Sequence, residues 1–105
     1  MTALSLLVLY VRNLAESRRF YATLGLSLTE EQHGDGAVHY SATLDGGIVI
    51  ELYPAPAGMP PSRVRIGLTV PDPAAAIERL RGAGFTVKRS GLAIDPDGNR
   101  VAVSG

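Results

Sequence analysis

Bulky apolar residues fall on alternate positions in two short runs, Leu7-Leu9-Val11 and Ile66-Leu68-Val70, the spacing of a strand with one buried face. Each run leads into a residue suited to cap a helix, Asn13 or Asp72. A stripe at helical spacing follows: Leu14, Ser17, Phe20, Tyr21 and Leu24 in the first case, Ala76, Ile77 and Leu80 in the second. Asn13 and Glu16 have the spacing of a capping box, in which the Glu side chain reaches back to the cap's own N–H. Pro73 takes the first helical position behind Asp72, where its missing N–H costs nothing. Gly25 ends the first helix and Gly82-Ala83-Gly84 the second. Strands are predicted next over residues 27–32, 37–44 and 47–53, parted by the turn signals Gly34-Asp35-Gly36 and Asp45-Gly46-Gly47. Beyond the second helix they are predicted over 85–89, 92–94 and 100–103, with Asp95-Pro96-Asp97-Gly98-Asn99 as a tight turn.

The two halves repeat one another. A shift of 59 positions lays Leu7–Val11 on Ile66–Val70, Asn13 on Asp72, Gly25 on Gly84, and Leu26 and Leu28 on Phe85 and Val87. Two unrelated strand–helix units would not share caps, terminal glycines and one constant offset. Each half therefore reads β-α-β-β-β. The expected fold class is α+β in a single domain, residues 1–105, with module one at about 4–54 and module two at about 63–105. Residues 55–62, with three prolines, form the linker.

Composition narrows the partners. At 105 residues, 46% hydrophobic and 19% charged, the chain has the make-up of a globular domain with a modest core. Its formal net charge of zero argues against nucleic acid, which is bound through excess positive charge. Without cysteine there is no disulfide, thiolate chemistry or Cys-based zinc site. The apolar stretch 3–11 has no basic residue before it and no small-residue cleavage site after it, and is too short to cross a bilayer. It is read as a buried first strand, with no membrane partner and a cytoplasmic location expected.

The stretch Leu9-Tyr10-Val11-Arg12-Asn13-Leu14-Ala15-Glu16-Ser17, with Phe20-Tyr21 and Leu24-Gly25-Leu26, resembles the opening module of the glyoxalase/bleomycin-resistance/dioxygenase (vicinal oxygen chelate) superfamily. Asp95-Pro96-Asp97-Gly98-Asn99-Arg100 resembles that family's closing hairpin. The resemblance implies two βαβββ modules that lay their strands into an open, cup-shaped mixed sheet with the helices outside. It also implies, in metalloenzyme members, a divalent cation held by His, Gln or Glu from the first and last strands of each module, acting as a Lewis acid. Mapped onto this chain, those positions are Leu6, Glu51, Arg65 and Ala102. Leucine and alanine offer no donor, and arginine stays protonated without a lone pair. Glu51 is the one ligand kept, so no metal of the family type and no cofactor is expected, and the chain leans away from being an enzyme.

Glu51 is the only candidate catalytic group. It reads as an ordinary solvated carboxylate, as a base, or as the partner of Arg65, whose guanidinium would stand where the cation sits. Strand alternation turns Leu6, Val8 and Tyr10 toward the cup, together with His39, Ser41 and Thr43 if Tyr40 and Ala42 face the helices. Tyr53 shares the face of Glu51, and Thr69 that of Arg65. The candidate ligand-binding set is thus Tyr10, His39, Ser41, Glu51, Tyr53, Arg65 and Thr69, an aromatic and polar mixture typical of small-molecule pockets. A lone strand histidine such as His39 is more often structural, and His33, beside Gly34, is expected to be solvated. Glu51 matches Ala102 at an offset of 51, so module two has lost about eight residues near Ser90-Gly91, which bares strand edge for a second subunit. The favoured function is metal-independent binding of a small organic ligand by a homodimer, of the sequestration or resistance type. The alternatives are a metal-dependent lyase, isomerase or dioxygenase with atypical ligands such as His39 with Glu51, and a degenerate, non-catalytic dimeric module.

Overall fold

The caps start both helices. In the computed structural model, which describes residues 1–105, Asn13 accepts a hydrogen bond from the Glu16 N–H at 3.1 Å and α1 runs Leu14–Thr23. Asp72 accepts from the Ala75 N–H at 3.1 Å and α2 runs Pro73–Gly82, so both helix ends keep the offset of 59. The capping box closes only by half. Glu16 pairs with Arg19 at 2.9 Å instead of returning to the Asn13 N–H, because a guanidinium one turn on offers a charge-assisted bond. The C-termini are closed alike: Gly25 and Gly84 take φ of +105° and +90°, and Leu26 and Phe85 donate back to Tyr21 and Leu80 five residues earlier.

Module one forms a four-stranded sheet in the order β1-β4-β3-β2, from β1 (Leu6–Val11), β2 (Thr29–Glu31), β3 (His39–Thr43) and β4 (Val49–Pro54). Module two repeats it as β5-β8-β7-β6, from β5 (Arg65–Thr69), β6 (Thr86–Val87), β7 (Leu92–Ile94) and β8 (Arg100–Ser104). In each sheet the first strand runs parallel to the last and the remaining pairs are antiparallel. The fold is the α+β arrangement of two βαβββ modules, with the strands in two separate four-stranded sheets rather than one continuous one. Several strands are shorter than expected. With β2 only three residues long, β3 finds no partner before His39, and β6 keeps only Thr86 and Val87 in register with β7.

One core serves both modules. Leu9 and Val11 of β1, Phe20, Tyr21 and Leu24 of α1 and Ile50 and Leu52 of β4 are buried with Ile66, Leu68, Ala76, Leu80, Ala93 and Val101 of module two. Each fully buried side chain of this size stabilises by about 1.5–3 kcal/mol. Phe20 meets Phe85 edge-on at 5.1 Å, and Arg19 donates to the Ala83 carbonyl at 2.8 Å, so the helix closures face each other across the module boundary.

The turn at residues 95–99 ties the halves together. Asp95 is buried and accepts four hydrogen bonds, from the Asp97 and Asn99 N–H groups, the Asn99 amide and, at 2.6 Å, the Tyr21 hydroxyl of α1. Asp97 accepts from the Arg12 N–H at 3.3 Å, and Asn99 from the Val64 N–H at 2.7 Å. Burial, and then the charge of Asp95, pushes the Tyr21 phenol far above its ordinary range. From the linker, Ser62 exchanges two 2.8 Å hydrogen bonds with the Tyr10 backbone along the outer edge of β1.

Candidate functional site

The registers of module one line up side chains in rows across its open face, the face turned away from the helices. Tyr10 stands opposite Tyr53 and Glu31 opposite His39, while Tyr40 opposite Leu52 sets His39 beside Tyr53. The row is therefore Tyr10, Tyr53, His39, Glu31. The next row is Val8, Glu51, Ser41, Thr29. Five of the seven expected ligand-binding residues, Tyr10, His39, Ser41, Glu51 and Tyr53, thus share one face of one sheet. Leu6 and Tyr10 remain 48% and 42% exposed there, large apolar groups in open solvent.

His39 is the centre of this face and is 1% exposed. Its ring stacks on Tyr53 with centroids 4.1 Å apart and planes 10° from parallel. Nδ1 lies 3.1 Å from the Ala37 carbonyl, which can only accept, so Nδ1 carries the proton of that bond. Nε2 is met by Glu31 at 3.3 Å, Glu51 at 3.6 Å and the Tyr53 hydroxyl at 3.3 Å. Desolvation, then the Glu51 and Glu31 carboxylates, raises the Tyr53 pKa, which keeps the phenol protonated as a donor.

The remaining positions lie elsewhere. Glu51 and Arg65 form no ion pair. Glu51 meets His39 instead, since the strand of Arg65 belongs to the other sheet and hydrogen-bonds to β8 alone. Arg65 borders a shallow hollow of about 180 Å³ with Leu92 and Ala102. Thr69 lines a cleft of about 610 Å³ between the end of α1, the β3–β4 turn and β5, together with Thr43 and Leu26. Leu6, Arg65 and Ala102 offer no ligand atoms, so the donor set does not fit the family's metal position.

Sequence reasoning missed Glu31, although its register partner is His39. Two-residue alternation from Thr29 would have placed it on the open face. His33 is exposed, as expected, but it is not isolated: its ring lies 5.2 Å from that of His39.

Residues 3–103 match the family model for the Glyoxalase/Bleomycin resistance protein/Dioxygenase superfamily. The chain belongs to this superfamily. Over 83 residues it is 39% identical to an uncharacterised protein of Mycolicibacterium smegmatis, a match covering 78% of this chain and 67% of that one. Its fold is similar to that of TnmS3, an antibiotic binding protein from Streptomyces sp. CB03234, with a TM-score of 0.75 at 24% identity over 99% of this chain and 95% of the other. It is also similar to a glyoxalase/bleomycin resistance protein from the same Streptomyces, with a TM-score of 0.73 at 24% identity over 98% of this chain and all of the other. At these identities the superfamily likeness fixes the fold, and the chemistry must come from this chain's own residues.

Proposed function

We propose that the protein binds a small organic ligand on the open face of module one and acts by sequestration, as a cytoplasmic homodimer. The observation that carries this reading is the row of Tyr10, Tyr53 and His39 beside Glu51. It joins stacked aromatic surface to a few convergent polar groups on a solvent-facing sheet. The acidic and phenolic groups favour a ligand that presents hydrogen-bond donors or a positive charge beside an apolar or aromatic body. Likeness to an antibiotic binding protein supports the ligand class. The Arg65, Thr69 and Ala102 face of module two would close the site from a second copy, setting Arg65 opposite the Glu51 it does not reach within one chain. The exposed Leu6 and Tyr10 give that contact an apolar centre.

Calorimetric titration of EDTA-treated protein with planar aromatic antibiotics and cationic metabolites tests the ligand reading. Saturable binding that weakens at least about tenfold in Tyr53→Ala is the expected result. Absence of saturable binding across the panel would overturn it. Light scattering of the purified protein tests the dimer, and a monomer mass at micromolar concentration would remove the two-copy site.

A further inference from the structure

We propose that Glu31, His33 and His39 form a binding site for one divalent first-row transition-metal ion, at the outer end of module one's open face. Only Glu51, standing beside His39, belongs to the family's ligand positions, and none of the three proposed donors does. The inference goes beyond the ligand reading and does not depend on it.

The donor atoms of these three residues lie within 4.8 Å of one another. The His39 Nε2 to Glu31 separation is 3.3 Å, close to the roughly 3.3–3.4 Å between two donors bound about 2.0–2.1 Å from a tetrahedral ion. His39 is oriented as a ligand would be. Its Nδ1–H is spent on the Ala37 carbonyl, which fixes the tautomer and directs the Nε2 lone pair at the carboxylates. The Tyr53 hydroxyl can give a proton to that lone pair, but Glu31 at the same distance cannot. Nε2 thus lies within reach of the Tyr53 hydroxyl as a donor and of a cation shared with Glu31.

His33 completes the set: with its imidazole beside Glu31 and His39, a metal gains a third protein donor. The β2–β3 connection is shaped to present it: Gly36 donates to the His33 carbonyl and the Gln32 side chain to the Gly36 carbonyl, each at 3.0 Å. Gly36 also lets the chain turn this tightly, since a Cβ there would come within 3.0 Å of the His33 carbonyl. Two imidazoles with one carboxylate suit zinc, cobalt, nickel or iron rather than magnesium or calcium. Exposed His33 opens the site to ions from solvent, and Glu51 stands next to His39 as a further oxygen donor.

The test is titration of the untagged, EDTA-stripped chain with Co(II), followed by visible absorption, and with Zn(II), followed by calorimetry. One equivalent should bind per chain and produce cobalt d–d bands. His33→Ala, at an exposed position, and Glu31→Gln, which keeps the side chain's shape at a half-buried one, should each weaken binding at least about tenfold while leaving the metal-free melting temperature unchanged. No saturable binding at millimolar metal would overturn the proposal, as would binding undiminished in both variants. Because the organic ligands are titrated into stripped protein, either proposal can fail without the other.

Discussion

Across the open face of module one the strands present Tyr10, Tyr53, His39 and Glu31, and the corresponding row of module two presents Thr69 and Ser104. One row over, Val8, Glu51 and Ser41 correspond to module two's Gly67, Ala102 and Leu92. Yet the frames beneath are the same, with helices displaced by one offset, caps of one kind and glycine closures of one geometry. The inward positions are held to their types by the shared core, while the outward ones lie outside that apolar cluster and differ. Acidic, imidazole and aromatic side chains are concentrated on the open face of one half of a repeated scaffold, and the other half presents Gly67, Ala102, Leu92 and the cations Arg65 and Arg100.

The sharpest way to break the comparison is to sever what joins the halves. Asp95→Ala would strand four donors, two of them on Asn99 and one on Tyr21, in the buried centre. The expected cost is about 3–5 kcal/mol in urea unfolding, as for loss of one partner from a buried charged network. A cost under 1 kcal/mol would mean that the Asp95 network is not what holds the modules together.

Tyr21→Phe removes one of those bonds and should cost about 1.5–3 kcal/mol at neutral pH. It carries a pH signature as well. The phenol pKa is raised in the folded state, so above about pH 10 the unfolded chain loses this proton while the folded chain keeps it. The stability it contributes is complete below pH 10 and then falls by about 1.4 kcal/mol per pH unit as pH rises. Unfolding titrations between neutral and strongly alkaline pH should show this slope in the wild type and its loss in the variant.

The smallest effect compares the modules directly. Gly25→Ala and Gly84→Ala each force a side chain into left-handed backbone, and neither new Cβ would meet an atom within 4 Å. Strain alone then sets the price, about 1–2 kcal/mol in each case by chemical denaturation. Unequal costs would show that the two closures are alike in shape but not in load.

The frame was legible because its signals are local. Asn13, Asp72, Pro73 and the two closing glycines act within a turn of where they stand, and alternation in β1 and β5 shows which side faces the core. The open face of module one was legible for the same reason, from Tyr10 through His39 to Tyr53. What escaped depended on placement between strands and sheets. Glu31 joins the site only through its pairing with His39 across a seven-residue connection. The Glu51–Arg65 pair assumed that two sheets would meet within one chain, and no local pattern specifies that. His33 was judged by its turn alone, although the turn sets it beside His39.

The hub at Asp95 also bears on how the chain is made. Synthesis from the ribosome delivers Tyr21 long before the carboxylate that receives its hydroxyl, and Arg12 long before Asp97. Until the closing turn emerges, the Tyr21 hydroxyl has no acceptor, although the rest of α1 can already pack on β4. The first module is thus built early and completed late, with the last turn acting as its clasp. Despite the repeated plan, the buried Tyr21–Asp95 bond exists only when both halves are in place.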